Sequence, residues 1–144
     1  MKKLILIPIF LLVLVVSSCD TSGSSWSTSD PATLINTAKQ GTWRISNYNH
    51  SGINETSTFT GYNFTFPVSN VLSVTNGTNT YSGTWSVIED VSEANPSGLK
   101  FNITFDNPTE FAQLSKGWVV ASYNGSTIYL LDGSGSDVLV FTKN

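Results

Sequence analysis

The sequence predicts an all-β domain: an eight-stranded antiparallel up-and-down barrel with a short N-terminal helix. From Thr42 onward apolar residues recur with a period of two, as in Phe101-Ile103-Phe105 and Tyr62-Phe64-Phe66, with polar residues between them. That spacing lines one face of a half-buried strand. Asn-Gly and Gly-Ser pairs separate the runs at hairpin distance, so sequence neighbours pair. Of the 144 residues, 12% are aromatic and 12% charged, enough large side chains for one core and too short a chain for two domains. An open meander leaves two exposed edges, and closing it into a barrel removes both.

Residues 1 to 18 read as a signal peptide. Met1-Lys2-Lys3 is a cationic start, and Leu4 to Val16 is an apolar run of thirteen residues, short of the ~20 that span a bilayer. Val16-Ser17-Ser18-Cys19 resembles the bacterial lipobox. The resemblance implies cleavage before Cys19 and lipidation of its sulfur, with acylation of the new amino terminus. At ~0.8 kcal/mol per buried CH₂, two or more acyl chains hold a protein stably on a membrane. The expected place is the cell envelope of a Gram-negative-type bacterium, lipid-anchored, periplasmic or surface-facing. Asp20 resembles a retention signal of some bacteria, and the outer membrane is expected ahead of the inner. Cys19 is the one cysteine of the chain, so no internal disulfide and no Cys-based zinc site can form.

Residues 19 to 30 form the lipidated cysteine and its tether, rich in Ser and Gly and carrying one large apolar residue, Trp26. The domain follows, from 31 to 144. Asp30-Pro31 sets an N-cap before a first-turn proline and Gly41 a stop, which predicts a helix near 31 to 39. Strands are predicted near 42 to 49, 59 to 66, 70 to 75, 79 to 88, 99 to 105, 116 to 123, 126 to 132 and 137 to 142. Asn76-Gly77, Asn124-Gly125 and Gly133-Ser134-Gly135-Ser136 supply hairpin turns. Residues 106 to 115 break the alternation, and Asn107-Pro108 followed by Glu110 suggests one helical turn capping the sheet.

Gly41-Thr42-Trp43 resembles the Gly-x-Trp signature that opens the first strand of lipocalins. The segments Gly61 to Phe66, Asn76 to Trp85 and Val138 to Lys143 are similar to the lipocalin-like domains of small bacterial lipoproteins, so the resemblance covers 41 to 144. It implies a lipocalin-like barrel in which Trp43 packs across the closed end with Lys143 over its ring, both in structural roles. It also implies a ligand site inside the barrel. Tyr62, Phe64, Tyr81, Trp85, Phe101 and Trp118 are its candidate lining, apolar rings with the Tyr62 and Tyr81 hydroxyls to orient a small hydrophobic ligand. An eight-stranded barrel is also just wide enough to be filled by its own side chains.

Catalysis has little footing in the sequence. His50 is the only histidine and falls in a polar stretch that reads as an exposed loop. Glu89, Asp90 and Glu93 read as a solvated loop, and Asp132 to Asp137 as a tight hairpin that lacks the terminal glutamate of a calcium loop. No metal, cofactor or enzyme activity is expected. Without the signal peptide, five basic residues (Lys39, Arg44, Lys100, Lys116, Lys143) face ten acidic ones, a balance that argues against nucleic acid as a partner. The leading expectation is a membrane-anchored module that binds or carries a small hydrophobic ligand at the envelope. The alternative is a solid-core interaction or scaffold domain that meets a protein or glycan, marked by an exposed aromatic patch near Trp26 or Trp118. The sequence leaves the oligomeric state open.

Overall fold

The computed structural model describes residues 30 to 144, apart from 69, 93, 94, 96, 107 and 108. The predicted signal peptide, Cys19 and the tether with Trp26 lie outside the described residues. The first element of the described residues is helix α1, Pro31–Ala38, and Asp30 caps it by accepting the Ala32 N–H at 2.9 Å. Leu34 and Ala38 are its buried face.

Nine strands follow among the described residues: β1 Trp43–His50, β2 Ile53–Asn54, β3 Asn63–Thr65, β4 Val71–Thr75, β5 Thr80–Glu89, β6 Leu99–Phe105, β7 Gly117–Tyr123, β8 Thr127–Leu131 and β9 Val138–Lys143. β3 to β9 pair with their neighbours in sequence order, all antiparallel. β1 closes the sheet, pairing with β9 from Trp43 opposite Lys143 to Asn49 opposite Val138, and with β3 at Trp43 opposite Phe64. The result is a closed antiparallel eight-stranded barrel with one short helix on its N-terminal side, β2 being a short arm on the end of β1. The register shifts between Ile45 and Asn47 and between Val120 and Ser122, irregularities that bend a strand around a barrel.

The hairpin turns are built by asparagine and aspartate side chains. Asn76 Oδ1 accepts the Thr78 and Asn79 N–H groups, Asn124 Oδ1 accepts those of Ser126 and Thr127, and Asp132 Oδ1 accepts that of Asp137. The predicted 59 to 66 strand is only half formed. Its first part is the end of a 3₁₀ helix, Thr56–Phe59, and Gly61 at φ +85° turns the chain before β3 begins. Here the Thr56 hydroxyl accepts the Tyr48 N–H at 2.8 Å, a side chain doing what a strand carbonyl would otherwise do. The β1–β2 hairpin was not predicted, since its turn is Ser51-Gly52 rather than Asn-Gly; both residues are left-handed, at φ +50° and +82°. Residues 106 to 115 do carry helical structure, a second 3₁₀ helix at Thr109–Leu114.

Candidate functional site

The interior holds aromatic rings from one end to the other. Phe64, Phe101 and Trp118 are fully buried, Trp85 is 4% exposed, and Tyr62 and Tyr81 are half-buried at the edge of the core. These six candidates do not face one another as a single lining. Trp85 and Phe101 pack with Phe66 at centroid distances of 5.2 to 5.6 Å, while Tyr62 and Tyr81 pack with Phe111, each at 5.2 Å. Phe64 and Phe141 bridge the two groups, and Trp118 lies edge-on to Tyr48 at 6.5 Å. Most of these contacts are edge-to-face, the geometry that aromatic quadrupoles prefer.

Each end of this column is covered by a short helix. At one end Trp43 is fully buried, its Nε1–H donates to the Ala38 carbonyl at 2.9 Å, and Lys143 Nζ stands 5.3 Å from its ring centroid. At the other end Thr109–Leu114 lays Phe111 into the barrel mouth, and Trp118 Nε1–H donates to the Leu114 carbonyl at 3.0 Å. Phe111 is fully buried and meets Phe59, Tyr62, Phe64, Tyr81 and Phe105 at 4.9 to 6.2 Å. Sequence reasoning missed Phe111 because the segment has no strand alternation. Its only signal was an apolar pair, Phe111 and Leu114, at helical spacing. Burial, together with neighbouring Tyr62 and Glu110, pushes the Tyr81 hydroxyl above its ordinary pKa.

A polar cluster sits beside this mouth. The Asp137 side chain is 4% exposed and is met from three directions: by Lys116 Nζ, by His50 Nδ1 at 2.9 Å and by the Ser51 N–H at 2.9 Å. Burial pushes the Asp137 carboxyl up, but the hydrogen bonds from Lys116, Ser51 and His50 outweigh it and hold the group well below the usual carboxylate range. Lys116 also stands over the Trp118 ring at 4.7 Å. His50 is therefore a strand residue rather than a loop residue: it ends β1, its side chain is 38% exposed, and it stacks near Tyr48. Burial first, then the charges of Asp137 and Glu55, push the Tyr48 hydroxyl up to about 12. The arrangement ties β1, β7 and the β8–β9 hairpin together. Lys116 and His50 share one carboxylate oxygen, so the cluster is an ion-pair staple. In the expected acidic loop, Asp90 pairs with Lys100 at 3.5 Å, and Glu93 lies outside the described residues.

The outside of the barrel has two characters. On β3 to β6 it is polar apart from Val71 and Ile88, 45% and 47% exposed: Thr65, Ser73 and Ser82 form one cross-strand row and Ser86 with Asn102 another, and Thr84, Ser86, Asn102 and Thr104 line an open groove of about 330 Å³. On β7 to β9 it is apolar. Val119, Leu131 and Val138 stand opposite one another in one row, Tyr129 and Val140 in the next. Their chain neighbours Trp118, Val120, Ile128, Leu130, Leu139 and Phe141 are core residues, whereas Val119 and Val140 are not part of the core cluster. The signal lay in the sequence as unbroken runs, Trp118-Val119-Val120, Ile128 to Leu131 and Val138 to Phe141. Such runs mark strands apolar on both faces. Trp118 itself faces inward and makes no exposed aromatic patch.

No protein-family model matches the sequence, and no curated protein matches it. A similar solved structure is that of a DUF4847 family protein from Bacteroides vulgatus, 15% identical, with a TM-score of 0.55. The likeness covers 77% of this chain and 97% of that one, and at this identity it establishes the barrel fold alone.

Proposed function

We propose that this protein is a lipid-anchored, lipocalin-like barrel of the bacterial cell envelope that works as an interaction domain through its outer surface. The observation that carries this reading is the packed interior. Rings from β1, β3, β5, β6, β7 and β9 meet at centroid distances of 5.2 to 6.5 Å, and a helix covers each end of the column. An eight-stranded barrel filled in this way presents its chemistry on the outside. The anchor rests on Val16 to Cys19, and the Ser- and Gly-rich tether gives the domain reach above the membrane. The His50–Asp137 pair has a structural role in this reading, and the chain is not an enzyme.

Two measurements test it. Mass spectrometry of the mature amino-terminal peptide is expected to find Cys19 carrying diacylglycerol, and an unmodified thiol there would refute the anchor. Titration of the soluble domain with a fluorescent hydrophobic dye is expected to give no saturable binding.

A second reading, carriage of a small apolar molecule, is favoured by one specific feature. Phe111 belongs to the 3₁₀ helix rather than to the sheet, so moving that segment would vacate a mouth ringed by Tyr62, Phe64, Tyr81 and Phe105. Saturable dye binding at one site per chain, lost on enlarging Phe111 to Trp, would establish that reading instead.

A further inference from the structure

The two ends of the barrel differ in what their connections expose. In an up-and-down barrel successive connections alternate between the ends. The β3–β4 and β5–β6 connections therefore share an end with α1 and Trp43, while the β4–β5 and β8–β9 turns stand at the mouth with Phe111. Five large apolar side chains are exposed among the described residues, and four of them stand at the α1 end. Val68, 67% exposed, and Val91, 90% exposed, lie on the two connections, and Val71 and Ile88 lie on the strands beside them. The fifth, Ile53, is on the β2 arm at the mouth end. Single exposed apolar residues are ordinary. The mouth turns, however, show a different composition: Asn76 to Asn79 and Asp132 to Ser136 contain only Asn, Asp, Gly, Ser and Thr. Val71 faces Thr84, and the β5–β6 pairing runs on from there to Glu89, so the connection bearing Val91 projects past the start of β4. Helix α1 lies alongside, its Ile35 and Lys39 sharing a hollow of about 190 Å³ with Asn70, Trp85 and Val87.

Chain direction and charge name the occupant of this end. Asp30, at the start of α1, is exposed, and ten residues separate it from Cys19. A chain of that length spans at most about 40 Å, so an anchor at Cys19 keeps the α1 end near the membrane. Of the five basic residues of the mature chain, Lys39, Arg44, Lys100 and Lys143 lie at the α1 end, against four acidic ones, Asp30, Glu89, Asp90 and Glu93. Only Lys116 lies at the mouth, against five: Glu55, Asp106, Glu110, Asp132 and Asp137. The α1 end is thus balanced and the mouth carries 1 − 5 = −4. Ion pairs among the described residues engage Lys100 and Lys116, not Lys39, Arg44 or Lys143. A bilayer containing anionic lipid repels the mouth and accepts the other end. Apolar tips enter its interfacial layer, and free cations stand against its phosphates.

Resting on the reading of the protein as a lipid-anchored domain, we propose that the α1 end of the barrel docks on the bilayer that holds the anchor, with Val68 and Val91 in the interfacial layer and the acidic mouth turned away. The tether limits how far the domain lifts, and the valine tips decide which end faces the lipid. The test uses full-length protein, reconstituted into vesicles of phosphatidylethanolamine and phosphatidylglycerol. A polarity-sensitive fluorophore is attached to Val68→Cys or Val91→Cys at the α1 end, and to Ile53→Cys or Thr78→Cys at the mouth; a lipidated Cys19 has no thiol to compete. All four positions are exposed, so the substitutions spare the fold. Emission from 68 and 91 is expected to shift to the blue on reconstitution and to fall about two-fold or more when the vesicles carry spin-labelled acyl chains, with 53 and 78 unchanged. Labels that report water at all four positions, or lipid at all four, overturn the docking. A blue shift at 68 and 91 that spin-labelled lipid does not quench overturns it in favour of contact between copies. Mass spectrometry of the amino-terminal peptide from the same preparation separates the two claims. An unmodified Cys19 refutes the anchor and the docking with it, whereas a lipidated Cys19 with 68 and 91 in water overturns the docking alone.

Discussion

Trp43 and Trp118 hold the two ends of the barrel in the same way. Each indole N–H donates to a carbonyl of the short helix covering its end, Ala38 at 2.9 Å and Leu114 at 3.0 Å, and each ring carries a lysine, Lys143 at 5.3 Å and Lys116 at 4.7 Å. A barrel has two open ends through which water reaches the core. In this chain the same device closes both: a buried donor binds the helix, and a cation covers the indole face.

Replacing either tryptophan by phenylalanine removes a donor from a helix carbonyl and leaves a gap in the column. Trp43→Phe and Trp118→Phe are each expected to cost about 1–3 kcal/mol, measured by urea unfolding followed by circular dichroism. Because they serve opposite ends, the double variant is expected to show the sum of the two within ~0.5 kcal/mol. Strong coupling would mean that the ends do not act separately.

Asp137 makes stability depend on acid. Its folded pKa lies below the unfolded value of ~3.9, so its contribution is complete above that pH and is lost as pH falls further. Asp137→Asn is expected to cost about 2 kcal/mol at neutral pH, moderated because Lys116 and His50 are roughly one-third exposed and can rehydrate. Below pH ~4 the variant and the parent are expected to converge, and a difference that persists in strong acid would contradict the staple.

Gly83 is a steric contact point between β5 and β6. A Cβ there would stand 2.4 Å from the Thr104 carbonyl oxygen and 3.0 Å from the Phe105 ring. Gly83→Ala is expected to lower stability by about 1–3 kcal/mol, since the backbone of the neighbouring strand must move. Gly125→Ala, where a Cβ meets nothing within 4 Å, is expected to stay within ~0.5 kcal/mol. Equal effects at the two positions would refute the close approach.

Tyr48 is expected to ionise well above the ordinary tyrosine range. Its phenol lies against Phe59 and Trp118 and faces Asp137, and its pKa is pushed up to about 12. Since the folded value exceeds the unfolded ~10, its neutral form supports folding below that pH, and this support is lost as pH rises through the folded value. Alkaline titration of phenolate absorbance is expected to show a late component that Tyr48→Phe removes.

Most of the barrel was legible because strand periodicity and turn chemistry are local. Phe101, Ile103 and Phe105 alternate as predicted in β6, and Asn76 and Asn124 build the turns their positions implied. The exceptions depend on distant partners. Thr56 takes the place of a strand carbonyl for Tyr48, and the predicted strand's first residue, Phe59, ends a 3₁₀ helix. His50 and Asp137 lie 87 residues apart, and neither reads as paired until β1 and β9 are side by side. Phe111, buried in the barrel mouth, belongs to a 3₁₀ helix and lies outside the strand pattern. The apolar outer stripe was written in Val138-Leu139-Val140-Phe141, where the absence of alternation carried the information.

Native mass spectrometry of the protein, purified under mild conditions from its own envelope and paired with solvent extraction, tests the filled barrel. A filled interior predicts the mass of the lipidated chain with no other small molecule in stoichiometric amount. One apolar molecule per chain, retained through purification and recovered by extraction, would contradict it and make the barrel a carrier.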